Sequence, residues 1–233
     1  MTEKIAQKEP GKKPVPSKKP KPQQEVVVQI SLSELHPFPD HPFQVREDAS
    51  MQETTESVKE YGVLVPALAR RREDGGYELI AGHRRKHACE LAGLATMPVI
   101  VRDIDRDAAT IIMVDSNLQR ENILPSERAK AYKMKMEAIK RQGARTDLTS
   151  PKISAKFRSD DEVGQDAGVS GDTIRNYIAL TQLVPELQQM VDEKKIALSP
   201  AYQLAALTPK EQGCFWKPST ANRPPPRSRR RSG

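Results

Sequence analysis

A change of pattern near residue 105 constrains the fold more than any other feature of the sequence. Upstream of it, residues 25–30, 63–69, 77–80 and 97–101 are short runs rich in β-branched and apolar residues, and each reads as a strand. Between them, residues 50–61 read as a polar helix closed by Gly62, and residues 83–91 as a helix stopped by Gly93, because glycine takes the left-handed conformation that ends a helix at little steric cost. Gly75-Gly76 turns the strand at 77–80 back on the one at 63–69 as its antiparallel partner. Pro37, Pro39 and Pro42 block regular hydrogen bonding, so residues 36–43 are expected as a loop.

Downstream of residue 105 the strand pattern stops. Residues 107–118 and 125–142 read as helices, the second opened by Pro125 and followed by Gly143. Ala129, Tyr132, Met136 and Ile139 recur at spacings of three and four, which puts them on one face. Residues 143–158 read as a polar loop, and residues 185–195 and 200–207 as two further helices, the last with Ser199 as N-cap and Pro200 at the first helical position. The expected class is therefore α+β: a small α+β domain at 25–106, then an all-helical domain at 107–208.

The ends differ from the middle. Residues 1–24 hold seven Lys against two Glu, and residues 209–233 hold seven Lys or Arg against one Glu, so the net charge of +7 lies in the ends and the middle is slightly acidic. Both ends have little to bury and are expected as a disordered basic arm and tail. Bulk charge thus says nothing of a nucleic-acid surface on the folded part, and only local motifs can. No window offers the eighteen apolar residues of a membrane span, and the lysine-rich start does not resemble a secretory signal, so a cytoplasmic location is expected. Cys89 and Cys214 are too few and too far apart for a disulfide framework or a four-ligand zinc site, and Cys89 reads as core filler.

Ala81-Gly82-His83-Arg84-Arg85-Lys86-His87-Ala88 directly follows a strand and opens a helix. A helix start carries free N–H groups and the positive end of the dipole, Gly82 lets backbone approach a ligand, and Arg84 and Arg85 offer planar forks for phosphate oxygens. Spacing alone leaves a solvated basic face equally open. His83 and His87 stand four apart, but the HExxH glutamate is missing, which excludes the zinc-protease pattern.

Residues 160–180 have the punctuation of a helix-turn-helix. Gly168 makes the turn, Val169 anchors it, Ser170 caps the second helix, and Val163, Ala167, Ile174, Tyr177 and Ile178 join the two helices. Asp172, Thr173, Arg175 and Asn176 are left outward near the start of the second helix, where such motifs meet the major groove. An ordinary helical hairpin is the alternative. The outward set favours DNA, since it offers an arginine for guanine and an asparagine for adenine.

Three segments in order resemble one family. Gly82-His83-Arg84-Arg85-Lys86-His87-Ala88 resembles the GERRxRA box of the ParB partition proteins, with His83 where Glu is usual. Pro42-Phe43-Gln44-Val45-Arg46 resembles their PxQxR segment, and Asn117-Leu118-Gln119-Arg120-Glu121-Asn122 with Pro125 and Glu127 resembles their NLQRExLxPxE box. The resemblance implies a CTP site with Mg2+, closure into a clamp on DNA and slow CTP hydrolysis. Carried over by position, Gln44 and Arg46 line the nucleotide, Gly82, His83, Arg84 and Arg85 hold the triphosphate, and Asn117 and Arg120 approach phosphates or metal, with Asn117 as the metal residue. No catalytic residue is assigned, because Ser116 stands where the family commonly has Glu, and a hydroxyl cannot replace a carboxylate as metal ligand or base.

The resulting reading is a CTP-dependent DNA-binding partition protein acting on plasmid, chromosome or mobile element. Its partners would be a palindromic, centromere-like double-stranded DNA site, a ParA-type ATPase engaged by the basic arm at Lys4 to Lys21, and a second copy in a homodimer. Nothing after Thr208 suits the family's C-terminal dimerisation domain, so self-association is expected to rest on the remaining domains. A transcription regulator with a vestigial pocket, or a nuclease or kinase on the same N-terminal fold, are the competing classes.

Overall fold

The computed structural model describes residues 26–120, 122–147 and 159–216. Five strands form a mixed sheet: β1 (Val27–Ser31), β2 (Leu35–Pro37), β3 (Ala67–Arg71), β4 (Tyr77–Ala81) and β5 (Thr96–Arg102), in the order β1-β5-β3-β4-β2. β1 is antiparallel to β5 and β3 to β4, whereas β3/β5 and β2/β4 are parallel. Side chains alternate across a strand, so each strand feeds two faces. Ala67, Ala69, Leu79, Met97 and Val99 pack with Met51 and Val58 of α1 (Ala49–Tyr61) and with Ala88 and Cys89 of α2 (His83–Ala92). Leu68 and Ile80, one residue out of phase, pack instead with Phe38, Phe43 and Met113 of α3 (Arg106–Leu118). The first helix after the change of pattern therefore covers the second face of the sheet.

Beyond α3 lie α4 (Pro125–Asp147), α5 (Ser159–Ala167), α6 (Gly171–Ala179), α7 (Pro185–Asp192), α8 (Leu198–Ala205) and α9 (Pro209–Trp216). Ala129 packs with Leu180, Leu187 and Ala201, while Tyr132, Met136 and Ile139 pack with Val163 and Ile174, so the apolar face of α4 is the platform for the helices that follow. Tyr177 stands edge-on to Tyr132 and Tyr202, with the Arg128 guanidinium 5.7 Å from its ring centre. No described helix is long and apolar enough to cross a membrane.

Several expectations are corrected. Leu35–Pro37, which takes in the first two residues of the expected 36–43 loop, is an edge strand paired with Tyr77–Leu79; proline is tolerated at an edge, where its missing donor leaves the ladder intact. The strand expected at 63–69 begins only at Ala67, after Pro66, and runs to Arg71. α4 continues through Gly143 to Asp147, since an internal glycine costs a helix only ~1 kcal/mol against alanine and does not end it; the rest of the expected loop, 148–158, lies outside the described residues. α8 starts at Leu198 with Ala197 as N-cap, which leaves Pro200 still in the first turn, where no intrahelical donor is needed.

The tail expected without structure from residue 209 contains α9. Thr208 and Glu211 form a reciprocal capping box, with Glu211 Oε2 2.8 Å from Thr208 N and Thr208 Oγ1 3.4 Å from Glu211 N. Gln212 is fully buried and ties the helix down, accepting from Val184 N at 2.8 Å and donating to the carbonyls of Gln182 and Leu207. Thr208-Pro209-Lys210-Glu211 carried that signal in the sequence. The arm at 1–24 and residues 217–233 lie outside the described residues.

Candidate functional site

The glycine-led turn is positioned by β4 and α2. Gly82 is the N-cap of α2 with φ 112°, a left-handed conformation, and a Cβ there would lie 2.8 Å from the Ala67 Cβ on the neighbouring strand. Only glycine meets both demands, and this presses the start of α2 against β3. Beside it lies a cavity of about 160 Å³ lined by His41, Gln44, Gly82, His83, Arg84, Arg85, Ser116, Asn117 and Arg120 among others. A larger hollow of about 490 Å³ shares Phe43, Gln44, Arg84 and Arg120 with it and adds Arg46, Asp48 and Glu127. The sequence-assigned residues thus converge on two adjoining spaces, except that Arg46 lines only the outer one. Another hollow, along α1, is lined by Glu47, Asp48 and Glu56, a charge that repels phosphate.

The cations of the cavity are held differently. Arg84 Nη2 lies 3.2 Å from Ser50 Oγ and 3.6 Å from Asp48 Oδ1, the carboxylate that also caps α1 by accepting from Met51 N at 2.9 Å. Arg85 donates to the backbone carbonyls of Val65 and Pro66, the latter at 2.7 Å, so it braces the segment entering β3. Burial and the neighbouring Arg84 guanidinium lower the pKa of Arg120, which means that a phosphate entering between them relieves repulsion. Asn117 is buried, donating through Nδ2 to Met113 O at 2.8 Å, and Ser116 Oγ donates to the same carbonyl at 2.9 Å.

Glu127 organises the loop opposite. Its carboxylate accepts from Gln44 N at 3.1 Å and Leu124 N at 3.2 Å and stands 3.9 Å from Arg46 Nη2, so it joins the PxQxR-like segment to the start of α4. The Ser126 backbone and hydroxyl reach Asp192 of α7 at 2.9 and 2.6 Å. Asp115, next to Ser116, is turned away: its carboxylate lies 2.7 Å from Lys135 Nζ, which also donates to Asp166 Oδ2 of α5 at 2.9 Å. Lys135 is 1% exposed. Burial alone would lower its pKa, but the two carboxylates more than reverse this and raise it. Sequence patterns single out neither Glu127's cross-link nor Lys135, which sits on a helix otherwise read for its apolar spacing.

The second candidate is the pair α5 and α6. Gly168 turns the chain with φ 69°, and Val169 N donates to Gly164 O at 2.9 Å. A Cβ on Gly164 would lie 2.6 Å from Val169 O, so the tight turn needs glycine there as well. Val169 itself is exposed rather than the anchor expected; the turn is held by backbone contact and by Val163 and Ile174 beneath it. Ser170 caps α6, accepting from Thr173 N at 3.2 Å, and its hydroxyl pairs with Thr173 Oγ1 at 2.9 Å. Asp172, Arg175 and Asn176 are exposed on α6. The Arg175 guanidinium is clasped between Asp172 and Asp160 of α5.

Two family matches, separated by α4, cover most of these elements. Residues 16–118 match the ParB N-terminal domain and residues 152–219 the ParB HTH domain. The sequence is 36% identical over 159 residues to a probable chromosome-partitioning protein ParB of Treponema pallidum, covering 68% of this chain and 44% of that protein. It is 33% identical over 187 residues to the chromosome-partitioning protein Spo0J of Thermus thermophilus, covering 80% of this chain and 62% of that one. The chain thus spans about half of each relative's length. The fold is similar to that of a C-terminally truncated ParB from Caulobacter crescentus, solved with the centromeric parS site (TM-score 0.50, 24% identity, 81% of this chain and 97% of that chain).

Proposed function

Because the chain belongs to the ParB family, we propose that it is a CTP-dependent, sequence-specific DNA-binding partition protein that loads at a centromere-like site. One observation carries the reading: a glycine-led helix start, Arg84, Arg120 and the Gln44 loop surround one cavity, and the helix lining it, α3, is tied through Lys135 to the first helix of the DNA-reading pair. The two adjoining spaces, about 160 and 490 Å³, fall together in the range of small-ligand sites, roughly 300–1,000 Å³. In this reading the free N–H groups after Gly82, with Arg84 and Arg120, hold the triphosphate. Gln44 and Arg46 flank the outer part, and Arg85 acts by bracing the turn.

Mg2+ would reach the site with the nucleotide. No carboxylate among the described residues lines the inner cavity, so phosphates and water would supply most of its oxygens, with Asn117 Oδ1 as this chain's share. When bound, the ion neutralises phosphate charge. Hydrolysis lacks a base at position 116, and Asp115 is engaged with Lys135. Native CTP turnover is therefore expected to be slow, and Ser116→Glu to raise it roughly tenfold or more while changing CTP affinity less than about threefold. Steady-state phosphate release and calorimetry on the two proteins check this, and Asp115→Ala leaving turnover unchanged is the matching control.

On the DNA side, Asp172, Arg175 and Asn176 would meet base edges, while Ser170 and Thr173 set the start of α6 and approach the backbone. The partners in this reading are a palindromic double-stranded DNA site, a second copy of the chain, and a ParA-type ATPase met by the arm at 1–24. The test is binding to a panel of palindromic sites with and without CTP. One site is expected to stand out, and CTP to change how the protein is held on it. Arg175→Ala is expected to cost about 1–3 kcal/mol on that site and to relax preference at one base pair. Equal binding to every sequence, by the native chain, would overturn the reading. Specific binding indifferent to CTP would favour the regulator with a vestigial pocket, which Ser116 in place of a carboxylate supports.

A further inference from the structure

His41, from the loop after β2, and His83, the first residue of α2, meet in the inner cavity with ring centres 3.9 Å apart and planes tilted by 44°. The Nε2 atom of each is buried and has no hydrogen-bond partner. Buried polar atoms are nearly always paired, so two orphans side by side ask for a ligand. His41 Nδ1 lies 2.7 Å from Phe43 O. A carbonyl can only accept, hence Nδ1 carries the proton and neutral His41 is left with a bare lone pair at Nε2. A phosphate oxygen meeting that atom would set lone pair against lone pair unless a proton lies between them.

The surroundings keep the empty pair neutral. Burial pushes His83 down to about 3, assisted by His41, Arg120 and Lys86. His41 is also lowered by burial and by Arg120, against which the Phe43 carbonyl and the Glu127 carboxylate act. Arg84 and Arg85 line the same cavity. A triphosphate would displace water from this cluster and bring several negative charges against its cations, reversing the balance at the rings. Two imidazolium rings 3.9 Å apart would repel strongly, so the cavity has room for one added proton.

We propose that His41 joins His83 at the phosphates and that the two rings together take up one proton from solvent when a nucleoside triphosphate enters. The inference rests on the reading of this cavity as the nucleotide site. No bond between heavy atoms changes: a buffer acid or hydronium gives up its proton and keeps the electron pair, an N–H bond forms at one Nε2 of the pair, and that N–H donates a hydrogen bond to a phosphate oxygen. Affinity then falls as pH rises through the bound pair's pKa, by up to about tenfold per pH unit for a single proton.

The test is calorimetry of the full chain with CTP and Mg2+ at pH 7, in buffers of different ionisation enthalpy. The dependence of observed heat on buffer enthalpy gives protons taken up per nucleotide. We expect between about one-half and one in the native chain, and close to zero in the double variant His41→Gln/His83→Gln. Proton NMR of the native chain supplies a second measurement independent of the variants, with one of the two imidazoles titrating near neutrality when CTP is bound and both titrating below the ordinary histidine range when it is absent. CTP binding without proton uptake, or uptake undiminished in the double variant, overturns the inference while leaving the nucleotide site standing. Absence of CTP binding at any pH overturns that reading and the inference with it.

Discussion

Lys135→Ala is expected to lower the free energy of unfolding by about 2–4 kcal/mol, more than any surface substitution in the molecule. Removing one partner of a buried ion pair costs roughly 3–5 kcal/mol because the remaining charge is stranded. Here the side chains of Asp115 and Asp166 are 43% and 57% exposed, so water recovers part of the loss, while the emptied volume of a fully buried lysine stem adds to it. Lys135→Met restores the packing but not the charge and is expected to fall between Ala and the native chain. Denaturant unfolding followed by far-ultraviolet circular dichroism, read as a shift in midpoint, checks both. An equal midpoint for Lys135→Ala would mean that the three helices are held by their apolar faces alone. The pH dependence has a definite sign. Because the folded pKa of Lys135 is raised above 10.5, its contribution is complete below that value and is lost only as pH rises through the higher folded one.

Arg84→Ala is expected to abolish measurable CTP binding without unfolding the chain. A guanidinium fork on a triphosphate makes charge-assisted hydrogen bonds worth about 1.5–3 kcal/mol each, so losing two lowers affinity by a factor on the order of a hundred or more. The fold has little stake in this side chain. Its contacts in the structure are with Ser50 and with Asp48, whose carboxylate is half exposed and keeps its bond to Met51 N when the arginine is gone. Calorimetric titration beside a thermal melt separates the two effects. Unchanged affinity would remove Arg84 from the site, and a melting point lowered by more than a few degrees would make it structural. Arg85→Ala is the instructive contrast: its bonds to the Val65 and Pro66 carbonyls predict that stability and binding fall together.

The helices and strands were legible wherever local chemistry decides. Gly62 and Gly93 close α1 and α2 with φ of 70° and 76°, and Ser170 caps α6, because turns and caps depend on residues within four positions of one another. The alternation of Leu79 and Ile80 between opposite faces follows from strand geometry in the same way. Two of the misread elements are also held by distant partners. Leu35–Pro37 becomes a strand because β4 offers it a ladder, and α9 is anchored by Gln212 reaching the carbonyl of Gln182.

By itself, the sequence determined the order of elements other than β2 and α9, the glycine-led turn at Gly82, the helix-turn-helix punctuation and the family resemblance, all of which depend on short spacings and on backbone angles that particular residues prefer. Only the tertiary structure decided which charged groups are available. Gln44 meets Glu127 across 83 positions of sequence, Lys135 meets Asp115 and Asp166 across 20 and 31, Arg175 meets Asp160 across 15, and Arg85, which reads in the sequence as an open cation, is engaged with backbone carbonyls. The physical reason is that periodicity specifies which face a side chain occupies, whereas a buried ion pair or an orphaned imidazole depends on what the fold brings to the other side, for which no spacing rule exists.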